Sequence, residues 1–155
     1  GSQMVHFIIE VFEIQLLTAV ALQRLFASIV DNYLTSIFNQ KIVREGDDLY
    51  WTNPRECRDV PEAADAKTEV KPGKLSISIA TVSAVSGLIH FAVNVSNLGT
   101  PVKTASLEDL MSQRDSNGLS HKGDVSPEIF AKEIMFRFQQ EFESIKEATY
   151  KVRSV

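Results

Sequence analysis

KLSISIATVSAVSGLIHFAVNVS, residues 74–96, has a period of two. Leu75, Ile77 and Ile79 fall to one side of an extended chain, and Lys74, Ser76, Ser78 and Ala80 to the other. Ser83 to Gly87 reads as a turn. Beyond it Ile89, Phe91, Val93 and Val95 alternate with His90, Ala92, Asn94 and Ser96. This predicts two adjacent antiparallel strands, each with an apolar face packed on helices and a face of small and polar residues.

Outward from this pair, residues 4–12, MVHFIIEVF, are β-branched and aromatic and too short for a typical helix, so a strand is expected. From Ile14 to Phe38 the apolar residues recur at three- and four-residue steps, which predicts one long amphipathic helix with Gln15, Gln23, Arg24, Asp31 and Asn32 on its polar face. Residues 41–45 and 48–51 read as short strands about a Gly46-Asp47 turn. Residues 52–73 are polar, with three prolines, and are expected to form a flexible insertion. A short helical turn is expected near Leu107–Met111. Ser126-Pro127 should start a second long helix, with Phe130, Ile134, Phe138, Phe142 and Ile145 on its buried stripe, ending near Lys146. The tail from Thr149 to Val155 is read as a last strand, and residues 1–3 as a tag remnant or linker. The fold class is therefore α+β, a mostly antiparallel sheet packed by two long helices, and 155 residues fit one domain.

A net charge of −4 supplies no basic field for nucleic acid or an anionic membrane. No apolar run approaches the ~20 residues of a membrane span. The one cysteine, Cys57, cannot form an internal disulfide, and no zinc-type Cys/His spacing is present, so a cytoplasmic location is expected and no metal-ligating residue is assigned, with the cofactor left open between none, a nucleotide and magnesium. No Gly-x-Ser-x-Gly frame surrounds Ser83 or Ser86, which leaves serine-nucleophile chemistry unsupported.

The order of strand, helix, GDDLYW (46–51), GKLSISIAT (73–81) and LIHFAVNVS (88–96) resembles the central part of biotin and lipoate protein ligases. Arg44, Asp47, Asp48, Lys74, Asn94 and Val95 fall where that superfamily has a basic residue, an Asn-Asp pair, a strand-opening lysine and an Asn-Val pair, with Asp47 replacing the asparagine. MVHFIIEVF (4–12), QRL (23–25), GDDLY (46–50), KLSISIATVS (74–83), LIHFAVNV (88–95), LEDL (107–110) and KVR (151–153) resemble, more closely, the family called domain of unknown function 366. That family is similar in fold to the class II synthetase and biotin-ligase superfamily. The chain departs from it in lacking a segment before MVHF, in the insertion 52–73 and in Ala84, where proline is common. It also lacks the superfamily's Gly/Arg-rich loop.

The resemblance implies that Lys74 contacts a carboxylate or phosphate, where a fixed cation stabilises negative charge, and the small Ser76 and Ser78 leave room for the ligand. Asp48, and less so Asp47, suit a ribose, a base or a magnesium ion, although a Gly-Asp turn needs such residues anyway. His90 suits proton transfer and Asn94 ligand orientation, against the commoner structural roles of such residues. Arg24 and Arg44 are cations that could grip a carboxylate, though either could equally be solvated. His6 reads as structural, and Cys57 and His121 as incidental. The functional expectation is a small-molecule-binding domain for a nucleotide, a modified purine or a carboxylate-bearing cofactor, with decarboxylase-type activity a lesser option. Its alternatives are an acyl-adenylate-forming ligase and a non-catalytic protein that pairs with a second copy.

Overall fold

The computed structural model describes residues 3–58, 70–99, 102–116 and 125–152. Strand β1 (Met4–Phe12) turns Phe7 and Ile9 inward and His6, Ile8, Glu10 and Phe12 outward. Helix α1 (Leu16–Phe38) buries Ala19, Leu22, Gln23, Phe26, Ala27, Val30, Tyr33, Leu34 and Phe38, the stripe that 3.6 residues per turn lays along one side. It ends where Asn39 takes a left-handed conformation and donates its backbone N–H to the Thr35 carbonyl.

Strands β2 (Ile42–Glu45) and β3 (Asp48–Trp51) form an antiparallel hairpin. Its turn needs Gly46 twice over: φ is +66°, and a Cβ there would strike the Arg24 guanidinium. A short helix α2 (Pro54–Arg58) follows, then β4 (Gly73–Lys74), β5 (Ser76–Val82) and β6 (Ser86–Asn94). Helices α3 (Leu107–Ser116) and α4 (Pro127–Lys151) complete the described chain. The Ser126 hydroxyl accepts from the Ile129 N–H with Pro127 in the first turn, the predicted start of α4.

The strands make two three-stranded sheets, β1-β6-β5 and β2-β3-β4. Both are antiparallel. Helix α1 packs on β5, β6 and β2, and α4 packs on α1 and β1. Phe26, fully buried on α1, is the hub: its ring centroid lies 5.0 Å from Phe7, 5.1 Å from Phe91 and 5.2 Å from Phe138. The α+β class, the antiparallel sheet and the long helices agree with the sequence.

The sequence reading fails on which way β5 faces. The register sets Ser76 opposite Val93, Ser78 opposite Phe91 and Ala80 opposite Ile89, so the small face of β5 lies with the apolar face of β6 against the helices. Ile77 and Ile79 stand with Ala92 and His90 on the outer face, and are 47% and 58% exposed. The reason is a break at Leu75, which lies between β4 and β5 and is fully buried together with the adjacent Ser76. Two successive inward residues reverse the alternation.

Of the insertion 52–73, the described residues contain α2 and the start of β4, and 59–69 lie outside the described residues. Two further expectations are corrected. Thr149 to Lys151 continue α4 where a strand is expected, and residues 153–155 lie outside the described residues. The stripe of α4 is buried only at Phe130, Ile134 and Phe138; Ile145 is exposed. His121 lies outside the described residues.

Phe26→Ala should lower unfolding stability by about 3–5 kcal/mol in urea titration, the cost of a large cavity. Leu17→Ala, at a position 80% exposed on the same helix, should stay within about 0.5 kcal/mol of the parent.

Candidate functional site

Four charged side chains meet where α1, the β2–β3 turn and β4 converge. Lys74 donates from Nζ to Asp48 Oδ2 at 2.6 Å. Arg24 donates from Nη1 to Asp47 Oδ1 at 2.8 Å. The other oxygen of Asp47 accepts from Gln23 Nε2 and from the Ser78 hydroxyl, each at 3.0 Å. Ser78 accepts in turn from Gln23, so α1, the turn and β5 are tied by one network. Arg44 donates to the Gly46 carbonyl at 2.5 Å and bends back over the same turn.

Backbone geometry brings the cluster together. Gly46 lets Arg24 approach the turn, and Gly73 lets β4 pass against the Thr104–Ala105 backbone, where a Cβ would lie 2.7 Å from the Thr104 carbonyl carbon. Asn94, buried on β6, donates from Nδ2 to the carbonyls of Lys74 and Ala105 at 3.0 and 3.1 Å. Ser76 is buried and accepts the Leu49 N–H.

The side chains of Lys74 and Asp48 are 38% and 25% exposed, so the pair sits at the solvent boundary. The hydrogen bond that Lys74 donates to Asp48 holds its ammonium above the ordinary lysine range. Desolvation opposes this, while the charges of Asp48, Tyr50 and Asp47 add to it. Lys74 is therefore a protonated cation at neutral pH.

Of the predicted residues, Arg24, Asp47, Asp48, Lys74 and Ser78 come together and Arg44 flanks them. Ser76 and Asn94 make the hydrogen bonds that hold the backbone beneath them. His90 does not share a face with Ser76 and Ser78. It stands on the outer face, where its Nε2 lies 2.9 Å from Nδ1 of His6, with ring centroids 5.2 Å apart. Asp47 and Asp48 bond different cations, Arg24 and Lys74. No group of three or more metal-ligating side chains occurs among the described residues.

Gln23 escapes the sequence reading as a site residue because it counts as part of the polar face. Its spacing to Ala19, Phe26 and Val30 places it on the buried stripe, and that signal is present in the sequence. His6 reads as structural there, and only the strand register joins it to His90. A separate polar cavity of about 200 Å³ lies beyond β3 and β4, lined by Trp51, Asn53, Glu56, Asn97, Lys103 and Asp109. Its charged groups are bonded within it, Lys103 to Glu56 and Asp109 to Asn97.

Several known proteins are similar to this chain. The chain is 33% identical over 135 residues to the uncharacterized protein MJ0805 of Methanocaldococcus jannaschii, a match that covers 84% of this chain and 49% of that protein. A solved protein of unknown function from Pyrococcus horikoshi matches with a TM-score of 0.71 and 30% identity, over 98% of this chain and 65% of that one. A point mutant of the biotin protein ligase from Aquifex aeolicus, in complex with biotin, matches with a TM-score of 0.62 and 12% identity, over 93% of this chain and 52% of the ligase. The ligase from the same organism with biotin and ATP gives a TM-score of 0.57 at 11% identity, over 92% of this chain and 52% of the ligase. The ligases share the fold, and the chain spans about half the length of the curated relative it matches. No described helix is long and apolar enough to cross a membrane. The family model described as domain of unknown function (DUF366) matches residues 1–57 and 69–153, and the chain belongs to that family.

Proposed function

We propose that this chain is a small-molecule-binding domain and that Lys74 anchors an anionic group of the ligand, a phosphate or a carboxylate. The observation that carries this reading is the Lys74–Asp48 pair, partly exposed at the junction of the two sheets, with Arg24 close behind through Asp47. An ammonium has three donors, and Asp48 occupies one, which leaves donors for an incoming anion. Asp48 keeps the cation in place and charged while Asn94 holds the Lys74 carbonyl, so the anchor is positioned before a ligand arrives. A nucleotide, a modified purine carrying a carboxylate, or a carboxylate-bearing cofactor suits this chemistry. The similar Aquifex ligase structures contain biotin and ATP, one ligand bearing a carboxylate and the other phosphates.

An acyl-adenylate-forming ligase is the enzymatic form of the same reading, since it needs both kinds of anion. ATP–pyrophosphate exchange that depends on an added carboxylic acid would support it. The absence of exchange would leave binding alone.

A thermal-shift screen against ATP, GTP, biotin, lipoate and 7-deazapurine carboxylates, with and without magnesium, tests the reading directly. A ligand at a hundredfold excess over its Kd should stabilise the fold by about 2.7 kcal/mol. Lys74→Ala should abolish that gain. If no ligand stabilises the chain, or if the gain survives Lys74→Ala, the proposal fails.

The raised pKa of Lys74 also has a sign. Its contribution to stability is fully present below the ordinary lysine value of ~10.4 and is lost as pH rises through the higher folded value. Lys74→Met should therefore flatten the alkaline limb of a melting-temperature profile. A limb unchanged in the mutant would show that the pair contributes nothing to it.

A further inference from the structure

Strand β1 forms one edge of the β1-β6-β5 sheet, and among the described residues no strand pairs with its other side. We propose that this edge pairs with β1 of a second copy of the chain, antiparallel about a two-fold axis at Ile8, which joins the two sheets into one.

An open edge of nine residues without proline or lysine is unusual, because natural proteins shield such edges. The main-chain groups of β1 are set for pairing. Gln3 accepts from the Val95 N–H and Glu13 donates to the Val85 carbonyl, so the odd-numbered residues turn their backbone groups toward β6. By alternation Met4, His6, Ile8, Glu10 and Phe12 present N–H and C=O groups at the free edge.

The side chains complement themselves in this register alone. Reversal about Ile8 sets Met4 against Phe12, His6 against Glu10 and Ile8 against its own copy on the outer face, with Val5 against Val11 and Phe7 against Ile9 within. No like charges meet, and the two titratable residues of the strand pair with each other twice. A shift by one residue would turn the outer face of one copy to the helix side of the other, and a shift by two would remove Glu10 from His6. The outer face supplies a further reason for association. Ile8 is 61% exposed, Ile79 58% and Leu88 42%, an apolar surface spread over three strands. Glu10 accepts from the Ser86 hydroxyl through one carboxylate oxygen, and in the pair its other oxygen faces His6 of the second copy, which already bonds His90.

Sedimentation velocity of the full chain across a dilution series tests the pairing. The expected species is a dimer of the 17.3 kDa chain. Ile8→Lys, which places two ammonium groups on the axis, should give a monomer with an unchanged circular dichroism spectrum, because Ile8 is exposed. Glu10→Lys should raise the dissociation constant about tenfold or more by removing the carboxylate that faces His6 of the second copy. His6→Glu combined with Glu10→Lys should restore the dimer. A parent chain that stays monomeric at every concentration, a dimer that survives Ile8→Lys, or a charge-swapped double variant that remains monomeric would overturn the proposal.

Discussion

Leu75 is the joint on which this structure depends. Its N–H donates to the Leu49 carbonyl of β3 and its carbonyl accepts from the Asn94 N–H of β6, so one buried residue belongs to both sheets. Ser76 reinforces the joint by accepting the Leu49 N–H through its hydroxyl, and Asn94 does so by clamping the Lys74 carbonyl. Because Leu75 and Ser76 are buried in succession, the side-chain alternation changes phase between β4 and β5. Small residues then face α1, and large apolar ones face outward.

This phase change decides where polar chemistry can sit. With Ser78 turned inward, Gln23 of α1 has a polar partner on the sheet, and the two hold Asp47 from below. Asp47 fixes Arg24, and the neighbouring Asp48 takes Lys74. Leucine at position 78 would take from Gln23 one of its two acceptors and from Asp47 one of its donors. The same reversal places Ile77 and Ile79 beside His90 on the open face. The polar cluster and the exposed apolar face thus have one structural cause.

The strands of residues 4–12 and 86–94, the long helix after Ile14 and the cap at Ser126 are legible in the sequence, because period and capping chemistry are local properties. So is the GDDLY turn that carries Asp47 and Asp48. The face of β5 is not legible, since a single break in alternation leaves a perfect period-two pattern on either side of it. KLSIS reads as one unbroken strand, whereas the chain changes sheets inside it. Gln23 is hidden for a related reason: polarity suggests solvent, although its helical position already lies on the stripe with Phe26 and Val30. His90 goes to the wrong neighbours in the sequence because the partner of a strand histidine is set by register, which composition does not contain.

Thiol accessibility on a Cys57→Ser background tests the phase change most directly, since Cys57 is itself exposed. Cysteine would be placed singly at position 79, now 58% exposed, and at position 76, now fully buried, and the rate of labelling by a maleimide followed under native conditions. Ile79→Cys should label rapidly, and Ser76→Cys should label only as fast as the fold opens. Fast labelling at position 76 with protection at position 79 would mean that β5 faces the other way, and the joint at Leu75 would not exist as described.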